Sequence, residues 1–250
     1  MSKSFFDYDK PLITTMIQTD SPEKALKTAR LALDAGADAI GIQFCQFKPE
    51  YQNSAVYRDL FSAIGDVPTY VTYYRGGKNT GKSDDELAEG MLELSKCGAS
   101  LVDVMGDLFC KDPDELTVDP TAIEKQKQLI DNIHKNGAKV LMSSHTYKFR
   151  PDYRVLEIAK AQVSRGADYV KIVTGAYNMQ QQIENLRITD MLKQNLDVPF
   201  LFLSLDECHI HRMIGTQLGC GMCLTVYEHD ELATPAQPLI KNMKAVLENF

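Results

Sequence analysis

Three stretches of this chain read almost alike: Ala35-Gly36-Ala37-Asp38, Cys97-Gly98-Ala99-Ser100 and Arg165-Gly166-Ala167-Asp168. Each sets a glycine where an amphipathic helix should stop and leads straight into a short apolar run of buried-strand character. Gly137 and Gly219 mark two further stops of the same kind. The pattern predicts strands at 12–17, 39–45, 69–75, 100–105, 139–144, 169–174, 199–205 and 222–227. Between them, apolar residues at three- and four-residue spacing predict helices, among them 22–35, 84–97, 121–135, 151–165 and 179–194. Ser21-Pro22-Glu23 is a helix start, a capping side chain followed by proline at the first helical position. Eight strands and about eight helices in 250 residues, with no linker to divide them, point to an α/β fold, a (β/α)8 barrel. That barrel would be one domain over 1–250, with about 1–10 as an N-terminal extension. An open doubly wound sheet would need a glycine-rich phosphate turn after its first strand, and Ile17-Gln18-Thr19-Asp20 is not one.

Composition excludes several classes of function. A formal net charge of -7 offers no footprint for nucleic acid or an acidic membrane surface. No apolar run approaches the roughly 20 residues that span a bilayer, and 1–10 lacks the apolar centre of a signal peptide. Six cysteines, most in apolar settings, suit a reduced compartment. The expectation is a cytoplasmic protein acting on a small molecule.

In a barrel, functional residues sit at the carboxyl ends of the strands. Those positions hold Gln43 and Cys45, Arg75, Met105 and Asp107, His145, Lys171 and Thr174, Ser204 and Asp206, and Tyr227 with the loop to Gln237. Arg75, His145, Lys171 and Arg212 would form a cationic ring fit for an anionic, hydroxylated ligand. Lys171 stands out, because Asp168-Tyr169-Val170-Lys171-Ile172-Val173 leaves a solvated ammonium no obvious place. A lysine at a strand end can snorkel to solvent, but both faces of a parallel barrel strand are covered. A lysine held out of water loses part of its preference for the charged form and becomes an amine nucleophile. His145 ends the adjacent predicted strand. It either bonds Ser143, Ser144 or Thr146 as a structural histidine or moves protons for that amine. Arg75, before Gly76-Gly77, is either a clamp under a mobile loop or an arginine at a strand exit. Cys208, His209 and His211 followed by Cys220 and Cys223 invite a metal reading, but a lone CxxC split between a helix end and a strand favours packing cysteines and no metal.

These pieces resemble the type I 3-dehydroquinate dehydratases over nearly the whole chain. Val140-Leu141-Met142-Ser143-Ser144-His145-Thr146-Tyr147 is similar to the strand with the family's catalytic histidine, and Ala167-Asp168-Tyr169-Val170-Lys171-Ile172 to the strand with its Schiff-base lysine. Tyr70-Val71-Thr72-Tyr73-Tyr74-Arg75 resembles the strand ending in a substrate-binding arginine. Leu203-Ser204-Leu205 with Ile210-His211-Arg212 resembles the segment giving an arginine to the substrate carboxylate, and Thr234-Pro235-Ala236-Gln237 a shifted form of the family's last substrate loop. The resemblance implies catalysis by Lys171 and His145 and substrate contacts from Arg75, Arg212, Gln237, Thr234, Gln43 and Ser204. It also implies a homodimer of the shikimate pathway that uses no cofactor. Three departures accompany it. The family's Glu-x-Arg on the second strand reads Gln43-Phe44-Cys45, and its Asp-x-Glu on the fourth reads Asp103-Val104-Met105. The glutamate that orients its histidine is replaced by Asn79 or a neighbour. A divergent dehydratase for 3-dehydroquinate or a related cyclic β-hydroxy ketone is expected. A class I aldolase-type lyase on a keto-sugar and a non-catalytic metabolite-binding homologue are the alternatives.

Overall fold

The computed structural model describes residues 3–205 and 209–250. Its strands are β1 (Leu12–Ile17), β2 (Ala39–Gln43), β3 (Thr69–Thr72), β4 (Leu101–Met105), β5 (Lys139–His145), β6 (Tyr169–Thr174), β7 (Phe200–Ser204) and β8 (Met222–Thr225). The helices are α1 (Pro22–Asp34), α2 (Ser54–Ile64), α3 (Asp84–Cys97), α4 (Pro120–Lys135), α5 (Asp152–Ser164), α6 (Met179–Asn195), α7 (His209–Ile214) and α8 (Ile240–Leu247). All strands are parallel, in the order β7-β6-β5-β4-β3-β2-β1-β8. At the seam the Gly221 N–H donates to the Phe200 carbonyl at 2.9 Å, so β7 and β8 meet at their amino ends and a nearly closed (β/α)8 barrel results.

The alternation in the sequence translates directly into these elements. Gly36, Gly98 and Gly166 have φ of +93°, +120° and +102°, the left-handed region that only glycine enters without strain. Ser83 and Glu86 form a reciprocal capping box at the start of α3. Four predicted strands end early, at Gln43, Thr72, Ser204 and Thr225. In β2 the cause is visible. Phe44 packs against Phe47 and Tyr57 at 4.9 Å each, turning Phe44–Gln46 into a buried 3-10 turn that leaves the ladder. The segment before β1 closes the barrel floor: Phe5 is buried there, and the Phe6 ring meets Tyr169 edge-on at 6.3 Å. Among the described residues no helix is long and apolar enough to cross a membrane.

Strand parity decides which side chains reach the interior. Successive residues on a strand point to opposite faces. Lys171 and Val173 of β6 face inward, as do His145 of β5, Gln43 of β2 and Thr72 of β3. Val71 and Tyr73 alternate with Thr72 and pack instead with α2 and α3 residues such as Leu60, Leu87 and Met91. The inner set opens at the carboxyl end into a cavity of about 320 Å3.

Candidate active site

Lys171 lies at the centre of a buried polar cluster. Its Nζ donates to the Tyr70 and Tyr74 hydroxyls at 2.9 Å each and stands 3.3 Å from Asp103 Oδ2. Both phenols in turn donate to that same carboxylate oxygen, Tyr74 at 2.5 Å. Ser143 donates to the other oxygen at 2.5 Å, so Asp103 is fully buried yet fully engaged. Burial, reinforced by the Asp103 charge, holds the Tyr70 and Tyr74 phenols protonated far above their ordinary range. The lysine is therefore caged by three oxygens and opens to the cavity beside Tyr74.

His145 stands on the adjacent strand, where Ser143 and Lys171 are register partners. Its ring meets Tyr74 edge-on at 5.7 Å and stacks on Tyr147 at 6.3 Å. Glu115 fixes it: one carboxylate oxygen accepts from the His145 backbone N–H at 2.7 Å and contacts Nδ1 at 2.5 Å. With Nδ1–H given to Glu115, Nε2 is left to accept a proton. Glu115 comes from the β4–α4 connection, has φ of +49°, and is held firmly there. Its carbonyl accepts from Ser144 Oγ at 2.9 Å. Neighbouring Asp114 is paired to Arg150 and Arg154 of the opposite segment. Arg165 of the α5 terminus reaches under the same connection to the carbonyls of Gly106 and Thr117. Asn79 does not touch the histidine; it is buried and donates to the Tyr74 carbonyl at 3.0 Å.

The opposite arc of the cavity is built from amides, hydroxyls and one guanidinium. Gln18 donates to Gln43 and to Thr234 at 2.7 Å each, and the Thr234 N–H returns a bond to Gln18 at 2.7 Å. Gln237 lies beside them, its backbone carbonyl accepting from His229 at 2.9 Å and its buried Oε1 without a protein partner. Arg212 of α7 is anchored by Nε to the Ser204 carbonyl at 2.9 Å and lines the cavity. Met16, Val173, Leu203, Leu205 and Leu224 complete a dry wall.

The structure thus brings Lys171, His145, Arg212, Gln237, Thr234 and Gln43 to one cavity. Two expected substrate contacts are corrected. Arg75 shares the outward parity of Val71 and Tyr73, and all its nitrogens are engaged outside the cavity. It binds Asp84 at 2.8 and 2.7 Å, Asp107 Oδ1 at 2.6 Å and the Asp107 carbonyl at 2.9 Å. Tyr74, one residue earlier, takes the inward position instead. Nor is the Gly76-Gly77 loop an open flap: Gly77–Asn79 is a 3-10 turn against the Cys45 carbonyl. Ser204 also faces outward, bonded to Asn185 at 2.7 Å and to His211 at 2.6 Å. His211 is buried there, and burial lowers its pKa to about 3, so it stays neutral between Ser204 and Thr189. Cys45, Met105, Asp107, Thr174 and Tyr227 do not line the cavity. Asp206 and Cys208 lie outside the described residues. Cys220 and Cys223 pack on the Phe202 and Leu12 carbonyls, their thiols pushed up to about 12 by burial.

A family model described as type I 3-dehydroquinase matches residues 13–250. The chain belongs to the type I 3-dehydroquinase family. It is 25% identical over 250 residues to a 3-dehydroquinate dehydratase of Klebsiella pneumoniae, spanning 97% of this chain and 94% of that protein. To the Lactiplantibacillus plantarum 3-dehydroquinate dehydratase it is 26% identical over 207 residues, 81% of this chain and 76% of the relative. Its fold matches the 3-dehydroquinate dehydratase of Geobacillus kaustophilus with a TM-score of 0.82 at 17% identity, covering 96% and 91% of the two chains. The type I enzyme of Clostridium difficile, solved with covalently modified comenic acid, matches at 0.81 and 23% identity, with 97% and 93% covered. The family is one of hydro-lyases of the shikimate pathway.

Of the groups that shape the site, Asp103 and Tyr74 stand in the family-like strands without a role assigned to them, and Gln18 and Glu115 are not among the expected site residues. The first carried the same signal as Lys171, a charge inside the apolar run Leu101-Val102-Asp103-Val104-Met105. Tyr74 and Gln18 follow from counting parity onward from Tyr70 and Met16. Glu115 had no such signal, since it sits in irregular backbone between β4 and α4.

Proposed function

We propose that this chain is an imine-forming dehydratase that converts 3-dehydroquinate, or a close cyclic β-hydroxy ketone, to its conjugated enone. The observation that carries the reading is one cavity lined by both the Lys171 amine and a His145 ring whose Nδ1 is held by Glu115. Lys171 condenses with the ring ketone and releases water, and the protonated imine becomes the electron sink for the adjacent carbon. His145 takes the proton from that carbon through its free nitrogen and, now charged, gives it to the departing β-hydroxyl, which leaves as a second water. Hydrolysis of the conjugated imine restores Lys171 and frees the enone. Arg212 supplies the charge for a substrate carboxylate, while Gln237 and Thr234 offer neutral bonds beside it. Gln43 offers an amide to ring hydroxyls, so hydroxyl recognition here rests on neutral bonds and not on a carboxylate–guanidinium pair. The mechanism calls for no cofactor. A cytoplasmic homodimer remains part of the same reading.

Incubation with 3-dehydroquinate, reduction with borohydride and peptide mass spectrometry should find the adduct on Lys171, and the enone product should appear by its absorbance. Absence of any adduct on Lys171 with any β-hydroxy ketone sinks the imine mechanism. An inert dehydroquinate beside a keto-sugar that traps and is cleaved would make the chain an aldolase-type lyase instead.

A further inference from the structure

Lys171 meets its counterion by two routes, direct and bridged. The direct separation of Nζ and Asp103 Oδ2 is 3.3 Å, longer than each step of the bridge through Tyr74, at 2.9 Å and 2.5 Å. Tyr70 offers a second bridge, but it is fully buried on the barrel floor side and does not line the cavity. Tyr74 is half-buried, lines the cavity and has its ring edge against His145 at 5.7 Å. Its backbone is fixed from behind by Asn79. Among the described residues it is therefore the one phenol that bonds the lysine and the buried carboxylate and also lines the cavity.

From this geometry we infer that Tyr74 is a catalytic residue, a proton relay between Asp103 and the nitrogen and oxygen that react during imine formation on Lys171. The inference rests on the imine reading above. Lys171 and Asp103 face each other as cation and counterion at 3.3 Å, and attack on a ketone needs the amine freed of its extra proton. Lys171 gives one proton to the Tyr74 oxygen while Tyr74 gives its own to Asp103 Oδ2. The result is a neutral amine, a neutral phenol and a protonated carboxyl. The amine nitrogen then bonds to the carbonyl carbon, and proton transfer from nitrogen to oxygen gives the carbinolamine. The relay runs backwards for the next step: Asp103 returns its proton through Tyr74 to the carbinolamine hydroxyl, the C–O bond breaks and water departs. What remains is a protonated imine facing an ionised Asp103. The three protons of the ammonium are accounted for, one on the imine nitrogen and two in the water. Tyr74 never becomes a free phenolate, which agrees with a phenol that burial keeps protonated. Asp103, buried and bonded by Ser143 from its other side, needs no solvent to take or return the proton.

The test is the rate of imine formation, read by borohydride quenching at successive times after mixing with 3-dehydroquinate. Tyr74→Phe should slow adduct formation on Lys171 by about 10²-fold, the lower end for a lost general acid–base group, with the same final extent at saturating ketone. Tyr70→Phe should slow it less than Tyr74→Phe. An unchanged rate in Tyr74→Phe, or an equal loss in Tyr70→Phe, overturns the assignment. Should Tyr74→Phe not fold, the wild-type enzyme decides: two protons moving together give a bowed dependence of the rate on deuterium fraction, and a straight line overturns the relay. A wild type that traps no ketone defeats the functional reading itself, whereas a wild type that traps and a Tyr74→Phe variant that traps equally fast defeats only the relay.

Discussion

The two arcs of the cavity wall are built on different principles. The arc from β3 to β6 carries ionic and titratable groups: Lys171 and Asp103 at 3.3 Å, and His145 and Glu115 at 2.5 Å. The arc through β7, β8, β1 and β2 carries amides and hydroxyls tied to one another through Gln18, with Arg212 as its cation. In the first arc each charge is set beside a partner that can take or give a proton. In the second, among the described residues that line the cavity, neutral hydrogen bonds join the amides and hydroxyls, and the guanidinium is the charged group. The difference separates reacting from holding. Reacting groups must exchange protons in the course of the chemistry, whereas holding groups must remain as they are when the ligand changes charge.

The largest effect should therefore fall on the reacting arc alone. Lys171→Met keeps much of the side-chain volume but removes the amine. Turnover should drop by at least about 10⁴-fold, as expected when a covalent nucleophile is lost. Substrate binding, measured by calorimetry, should stay within about tenfold because the neutral arc is intact. Loss of binding together with turnover would show that the two arcs do not divide the work.

Glu115→Gln probes the same arc at its orienting end. The amide can still reach His145 but no longer stabilises the charged ring that follows proton abstraction. A fall in kcat of about 10²-fold is expected, with KM little changed. The more telling readout is the covalent one: the borohydride adduct on Lys171 should persist, because the block comes after imine formation. Disappearance of the adduct would place Glu115 in the lysine chemistry instead.

How much of these arcs the chain announces beforehand depends on the kind of backbone involved. The barrel, its eight strands and the places of Lys171 and His145 follow from apolar periodicity and glycine stops, signals that are local in the chain. Arg75 was misread because the predicted third strand ran through it, and position at a strand end says nothing of which face a residue takes. Counting by twos from Tyr70 puts Tyr74 inside and Arg75 outside. Ser204 fails for the same reason, one residue from the inward Leu203 and Leu205. Glu115 belongs to a different class. Its link to His145 spans a connection shaped by Arg165, Arg150 and Arg154, residues remote in sequence whose meeting only the closed barrel sets.

A smaller effect is expected on the holding arc. Gln237 lines the cavity with a buried Oε1 that has no protein partner, so a ligand donor can satisfy it. Gln237→Ala should raise KM about tenfold, the scale of one lost hydrogen bond, and leave kcat within about twofold. Steady-state kinetics on the purified variant separate the two. A kcat loss without a KM change would move Gln237 into the reacting arc.

Arg75→Gln should have the least effect on catalysis and a clear effect on stability. Its guanidinium ties Asp84 at the start of α3 to Asp107 beyond β4, and it never enters the cavity. The two carboxyls respond differently to that tie. Burial pushes Asp107 up, and Arg75 offsets this only in part. Burial also raises Asp84, but the Arg75 bonds and charge, with the Phe109 N–H, outweigh it and hold its carboxyl below the usual range. A carboxyl lowered in the folded state contributes stability above its unfolded pKa, near 4, and loses it as pH falls through the folded value. Without Arg75 both carboxylates face burial with less compensation, and roughly 3 kcal/mol of stability should be lost at neutral pH, the low end for breaking a buried pair. The deficit against wild type should be full at pH 7 and narrow as the pH falls through the acid range, beginning with Asp107, which burial already holds above the ordinary carboxylate range and which takes up its proton sooner without Arg75. Thermal melts across that range measure it, and KM should stay within about twofold because no bond to the ligand has been removed. A rise in KM of tenfold or more with unchanged melting would return Arg75 to the substrate and break the division between the arcs.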